Sequence, residues 1–184
     1  LLGFGLLLTT TLLAALLAAL GWVLYAVVYT FLKHRTPYAT LVGAIPGAIP
    51  PLVGYTALTG QLDGRALILF LTLLTWQMPH FYTISLRRLD EYRRAHIPVM
   101  PLAHGITRTR LEMALYGSGF LSVNLYAAAS GTFSWFYGIV MGSAALWWLY
   151  LIYRSHDKAG YTRVFVWSLY LLIIWLVTII IEIH

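Results

Sequence analysis

Cysteine is absent from these 184 residues, so the chain forms no disulfide, no zinc thiolate and no iron–sulfur ligation of its own. Charge is scarce as well: charged side chains make up 10% of the sequence, far below the quarter or so of a soluble domain. The alternation of apolar and polar residues that marks a membrane β-barrel is also missing, because the apolar runs are apolar on every side and rich in Leu, Ala and Ile. What fills the sequence is hydrocarbon. Hydrophobic residues account for 60% of it, in several runs of about twenty residues. A bilayer core about 30 Å thick takes roughly 20 helical residues to cross, and every backbone polar group inside must be paired within its own helix. The fold class is therefore all-α: a polytopic transmembrane helical bundle, forming a single domain over residues 1–184.

Full spans are read at about residues 12–32, 37–58, 66–86, 111–130, 135–153 and 164–183, with residues 1–10 as part of an earlier helix. As one rod, residues 1–32 would measure about 48 Å at 1.5 Å per residue, so a break is expected near Thr9, Thr10 and Thr11. Thr36-Pro37 reads as an N-cap followed by proline at the first helical position, Thr109 to Glu112 has capping-box spacing, and Asp63-Gly64 is a third start signal. Gly131 to Ser134 reads as a short uncharged turn.

Counting the spans places the connections at 33–36, 87–110 and 154–163 on one side. That side holds 11 of the 12 Lys and Arg residues and leaves Arg65 opposite. Such an imbalance marks the cytoplasmic face of a bacterial inner membrane or the matrix face of a mitochondrial one. Topology alone would account for it; an anionic substrate would use it.

The most informative stretch runs from Trp76-Gln77-Met78-Pro79-His80-Phe81 to Leu89-Asp90-Glu91-Tyr92-Arg93-Arg94, where a span leaves the membrane for the longest loop. If helix continues past the kink expected at Pro79, then His80, Thr83, Arg87, Asp90 or Glu91, and Arg94 form one polar stripe. Asp90 and Glu91 are carboxylates of the kind that bridge Mg²⁺ to substrate phosphates, and the arginines offer planar donors to phosphate oxygens. The rival is an interfacial salt-bridge network that orients the loop. Pro98 and Pro101 then end any helix. A second cluster, Tyr29-Thr30-Phe31-Leu32-Lys33-His34-Arg35-Thr36-Pro37, sets cations before a helix N-terminus, an arrangement suited to phosphate and equally to plain anchoring. The next span carries Gly43, Pro46, Gly47, Pro50, Pro51 and Gly54, so it is distorted and either borders a chamber or packs closely through small residues, as Gly138 and Gly142 would. His80 reads as a haem contact, a proton handler or a packing residue. Asn124 and Glu182 are weaker candidates, and the many Trp and Tyr are mostly interfacial.

Taken together, these residues resemble the haem O synthase (protohaem IX farnesyltransferase) branch of the UbiA superfamily of intramembrane prenyltransferases. Four blocks carry the likeness: Tyr29-Thr30 with Lys33, Arg35 and Thr36; Gly47 to Gly54 and then Thr59-Gly60; Trp76 to Phe81; and Glu91 to Pro101. The resemblance implies a UbiA-type prenyltransferase barrel around a lipid-open chamber, its diphosphate site at the cytoplasmic mouth, and two acidic motifs that hold Mg²⁺. The second motif falls at Asp90 and Glu91. The first is nowhere in the sequence, and with the start at Leu1 inside an apolar run this leads to the expectation of a carboxyl-terminal two-thirds whose amino-terminal helices are missing.

The implied reaction joins farnesyl diphosphate to a vinyl group of protohaem IX with addition of water, giving haem O and diphosphate. The candidate catalytic set is Asp90, Glu91, Lys33 and Arg35, with Arg87, Arg94, Tyr29, Thr30 and His80 as binding residues and Asp90 and Glu91 as metal ligands. Membrane lipid, and a terminal-oxidase assembly or haem A synthase partner, are expected beside the two substrates; nucleic acid is not. Three rivals are prenyl transfer to an aromatic quinone precursor, a transporter or channel segment, and a noncatalytic protein that holds haem or lipid.

Overall fold

Thr11 opens the first long helix, and its chemistry explains why the chain turns there. Its backbone is extended (φ −138°, ψ 145°), its hydroxyl oxygen accepts from Ala14 N at 3.1 Å, and the same hydroxyl donates to Thr56 O at 3.0 Å. Thr9 and Thr10 lie in a turn, so the expected break is present. The computed structural model describes residue 3 and residues 9–183, and among them every regular element is helical. The partial helix expected over residues 1–10 lies almost wholly outside the described residues.

Helix α1 spans Leu12–Leu32 and contains a π-helical stretch at Leu24–Tyr29. The proline-rich second span is two helices, α2 (Ala39–Gly47) and α3 (Ile49–Thr59), meeting at Ala48. Pro50 falls in the first turn of α3, where its missing N–H costs no bond. The buried Gln77 amide fills the bend, donating to Leu73 O at 3.2 Å and reaching Ala44 O at 3.5 Å. The start expected at Thr36-Pro37 is displaced: Tyr38 is the N-cap residue. Thr36 instead closes a preceding turn, its hydroxyl accepting from Tyr38 N and its carbonyl from Ala39 N, both at 3.3 Å.

Helix α4 (Gly64–Arg87) is capped as expected by Asp63, whose Oδ1 accepts from Arg65 N at 2.9 Å and Ala66 N at 3.1 Å. It runs through Pro79 to Arg87. Two short helices, α5 (Leu89–Arg94) and α6 (Met100–Ala103), cover that end. Pro101 does not end a helix but begins α6, in the first-turn position that proline tolerates. Helix α7 (Gly105–Ala129) begins well before the capping-box signal, and Thr109 lies inside it with its hydroxyl bonded back to Gly105 O at 2.9 Å. Ser134 caps α8 (Trp135–Arg154), and α9 (Lys158–Ile183) is the last described helix.

Among the described residues, five segments are long and apolar enough to cross a membrane: α1, α2 with α3, α4, α8 and α9. The sixth expected span corresponds to α7, 25 residues long but polar at its start, where Arg108, Arg110 and Glu112 lie. Helix α7 packs between α4 and α8, and α9 closes against both of them. Phe120 and Trp148 meet edge-on at 5.8 Å in the core of that contact. Gly138 and Gly142 make the close approach expected of them: a Cβ at Gly138 would come to 2.5 Å of Ala128 Cβ. The two weaker polar candidates are structural. Tyr137 donates to Asn124, whose amide donates to Phe120 O at 2.7 Å, and Glu182 accepts from Ser134 N at 2.7 Å, joining the end of α9 to the start of α8.

Candidate functional site

The π-helical stretch of α1 widens the turn, so Tyr25 and Tyr29 stack with ring centroids 5.4 Å apart. Thr30 takes up the displaced bonding, its hydroxyl donating to Tyr25 O at 3.1 Å. Both tyrosine rings face a cavity of about 360 Å³ at the basic end of the bundle. Its other walls are Lys33, His34 and Thr36 from the turn after α1, Thr40 and Gly43 from α2, Phe81 and Ser85 from α4, and Tyr92 with Ile97 to Val99 from the long loop. Gly43 is required: a Cβ there would lie 2.7 Å from the Tyr29 ring.

The loop reaches the cavity through a defined helix ending. At the end of α5, Ile97 N bonds to Tyr92 O at 3.1 Å and His96 N to Arg93 O at 3.2 Å, with His96 at φ 54°. This is the paired-bond ending that usually places glycine at the left-handed position. It swings Ile97 and Pro98 back under α1.

The predicted residues divide. Tyr29 and Lys33 line the cavity, and Lys33 is half-buried with no ion pair to a described residue. Thr30 supports the π stretch rather than facing the cavity. Arg35 turns outward, its guanidinium carbon 3.6 Å from the Phe31 ring centre. Arg87 lies 4.6 Å over Phe165 of α9. Arg94 is exposed and forms no ion pair with a described residue. Asp90 and Glu91 directly precede Tyr92, which does line the cavity, but their own side chains are 75% and 67% exposed and face Arg93 at 2.8 Å and Arg88 at 3.8 Å. Among the described residues no group of three or more His, Asp or Glu side chains gathers to hold a metal ion.

The single polar stripe expected from His80 to Arg94 is not formed, because the backbone breaks at Arg88 (φ −111°, ψ 28°) and α5 leaves the line of α4. Thr83 is buried and bonds back to His80 O at 2.6 Å. His80 points to α9, stacked between Trp76 at 4.8 Å and Phe165 at 4.9 Å. The loop arginines and acids thus make the interfacial ion pairs of the plainer reading, while one lysine and a set of phenols face the cavity. Such a cavity can seat a phosphorylated head against Lys33, with apolar walls for the hydrocarbon attached to it. Sequence reasoning missed Tyr25 and Tyr92; only the four-residue spacing of Tyr25 and Tyr29 hinted at a shared face.

Known proteins place the chain in context. It is 40% identical over 85% of its length to protoheme IX farnesyltransferase 1 of Shewanella frigidimarina, covering 52% of that protein. It is 38% identical over 85% of its length to the protoheme IX farnesyltransferase of Yersinia pseudotuberculosis, covering 55% of it. Protoheme IX farnesyltransferase 2 of Shewanella woodyi is 39% identical over 86% of the chain, again with 55% of the relative covered. The chain therefore spans about half the length of the curated relatives it matches. No solved structure matches it. The UbiA prenyltransferase family matches residues 1–179, nearly the whole sequence, and the chain, with its helical membrane fold and its cavity at one end, belongs to that family.

Proposed function

We propose that this chain is part of a haem O synthase, which transfers the farnesyl group of farnesyl diphosphate to a vinyl group of protohaem IX with addition of water, giving haem O and diphosphate. The observation that carries the reading is Lys33: a half-buried cation without an ion-pair partner among the described residues, facing a cavity at the end of an intramembrane bundle. The names of the relatives supply the acceptor. In the reaction the bond from farnesyl C1 to diphosphate oxygen breaks, and its electron pair leaves with diphosphate. C1 bonds to the outer vinyl carbon, and water oxygen bonds to the inner one and loses a proton. Lys33 meets the charge growing on the leaving group, and Tyr25 and Tyr29 wall the cavity beside it.

Magnesium belongs to the same proposal. Mg²⁺ commonly takes one or two carboxylates and completes its shell with substrate phosphates. Asp90 and Glu91 fit that use: they are accessible, adjacent and immediately before Tyr92 in the chain, and they suit an ion arriving with the diphosphate better than a resident one. Bound there, the ion would neutralise charge on the leaving group. Arg35, Arg87 and Arg94 are assigned a secondary part, the first two being held over aromatic rings. The setting proposed is a bacterial inner membrane with the basic loops cytoplasmic, by the cation imbalance, with a terminal-oxidase assembly or haem A synthase as partner.

The test supplies full-length protein in membranes with protohaem, farnesyl diphosphate and Mg²⁺, and looks for farnesylated haem by mass. Product that survives Asp90→Ala combined with Glu91→Ala overturns the metal assignment. Haem binding with no magnesium-dependent product overturns the transferase reading in favour of a haem-holding role.

A further inference from the structure

A second cavity, of about 280 Å³, lies between the start of α2, the end of α4 and the first turns of α7, and it shares no lining residue with the first. Glu112 is its innermost charged group, with 12% of its side chain exposed. One carboxylate oxygen accepts from the Tyr82 hydroxyl at 2.7 Å and the other from Arg108 Nε at 3.1 Å. The carboxylate is thereby occupied, and the guanidinium is oriented by its inner nitrogen. The two outer amino groups of Arg108 make no hydrogen bond to a described residue, and neither do the hydroxyls of Tyr38 and Tyr116 on the same cavity. What the cavity offers a ligand is a planar guanidinium edge with phenols around it, a donor set matched to the several oxygens of a phosphate.

The apolar surroundings identify what the phosphate is attached to. Leu111 and Leu115 are 51% and 59% exposed and stand one turn apart on α7, on the side of the helix that carries Arg108. The arginine lies at the basic end of the bundle, and this leucine stripe descends from it toward the membrane interior. An arginine head in the interface above exposed leucines is the arrangement that reaches a lipid headgroup while acyl chain covers the apolar side chains. We propose that this cavity binds the phosphate of a membrane phospholipid, held by Arg108, Tyr38 and Tyr116, at a site separate from the one that contains Lys33. Glu112 and Tyr82 are positioning residues that aim the guanidinium.

Full-length protein would be placed in bilayers of digalactosyldiacylglycerol, a lipid without phosphate, with a trace of phosphatidylglycerol bearing a photoreactive group on its acyl chain. After illumination, adducts should concentrate on the segment 108–116, and unlabelled phosphatidylglycerol should suppress them while inorganic phosphate at equal concentration does not. Arg108→Gln should lower the yield about tenfold, the loss of one good charged contact. Tyr116→Phe keeps the ring, removes only a hydroxyl without an internal partner, and should lower the yield severalfold. Lys158→Gln, an exposed cation outside the cavity, should leave it unchanged. Adducts spread evenly over the lipid-facing helices, or indifferent to both cavity variants, overturn the proposal. Suppression by inorganic phosphate replaces the lipid with a free anion and overturns it equally.

Discussion

His80 Nδ1 lies 2.7 Å from Ser168 Oγ, a bond that joins α4 to α9 across 88 residues of sequence. The Ser168 hydroxyl also lies 2.5 Å from Phe165 O, one turn earlier on α9. The ring is also stacked between Trp76 and Phe165, and the Trp76 indole donates to Ser168 O at 2.7 Å. Ser168→Ala should cost only roughly 0.6 kcal/mol, the usual worth of an interhelical bond in a membrane. His80→Ala, which empties the stack, should cost about 3 kcal/mol. His80→Phe keeps the stack and should retain product formation within severalfold; a folded but inactive His80→Phe protein would show that the imidazole acts on a substrate.

Lys33 and Arg35 are near neighbours with different surroundings, since one faces the cavity and the other lies against Phe31. In full-length enzyme, Lys33→Gln should raise the KM for farnesyl diphosphate about tenfold or more, the scale of one lost charge-assisted contact. Arg35→Gln should change it severalfold less. Equal effects in a steady-state assay would mean that both reach the diphosphate.

Gly43→Ala tests the aromatic wall. The added methyl meets Tyr29 Cδ2 at 2.7 Å, and that ring is stacked on Tyr25. Tyr29 must therefore shift, and because it lines the cavity, substrate affinity should fall while thermal stability changes little. Restored affinity in the Gly43→Ala, Tyr29→Ala double variant would assign the loss to the displaced ring.

Asp63 carries the pH prediction. The Tyr55 hydroxyl, 2.7 Å away, and the N–H groups of Ala66 and Arg65 hold its carboxyl below the usual range. A carboxyl depressed in the folded state stabilises at neutral pH, and the effect is lost as pH falls from the unfolded value, about 3.9, through the folded one. Asp63→Ala should therefore lower Tm at pH 7, and the gap to the parent protein should narrow on acidification to about pH 3. A gap constant with pH would remove the charge from the explanation.

His96 occupies a left-handed conformation that glycine adopts without strain. Histidine tolerates it better than most residues, yet the strain is roughly 1 kcal/mol. His96→Gly should slow proteolysis of the loop after α5 by a few-fold. Faster cleavage would mean that the imidazole itself anchors the loop.

Local chemistry was readable where a few adjacent residues decide the outcome: the break at Thr11, the Asp63 cap, the turn at 131–134 and the apolar character of the spans. Reading failed where a distant partner decides. Glu112 has capping-box spacing from Thr109, but Tyr82 and Arg108 claim its carboxylate, and α7 begins six residues before the span expected from 111. The stripe from His80 to Arg94 presumed one continuous helix, and the turn at Arg88 ended it. His80 stayed open among ligand, proton and packing roles because Ser168 and Phe165, which fix it as a packing residue, lie on α9. The cavity itself was half visible, through Tyr29 and Lys33, and half hidden, since the α5 ending that brings Tyr92 and Pro98 to it uses a histidine where glycine is the usual signal.

The π stretch at Leu24–Tyr29 also works as a gear in α1. Thr11, on the near side of it, is fastened to α3, and Lys33, beyond it, must look toward the loop. A regular helix could satisfy one of these orientations or the other. Deleting one residue between them would rotate one half of α1 against the other by roughly 100°, so the length of this short segment, more than the identity of its aliphatic residues, sets which way the cation looks.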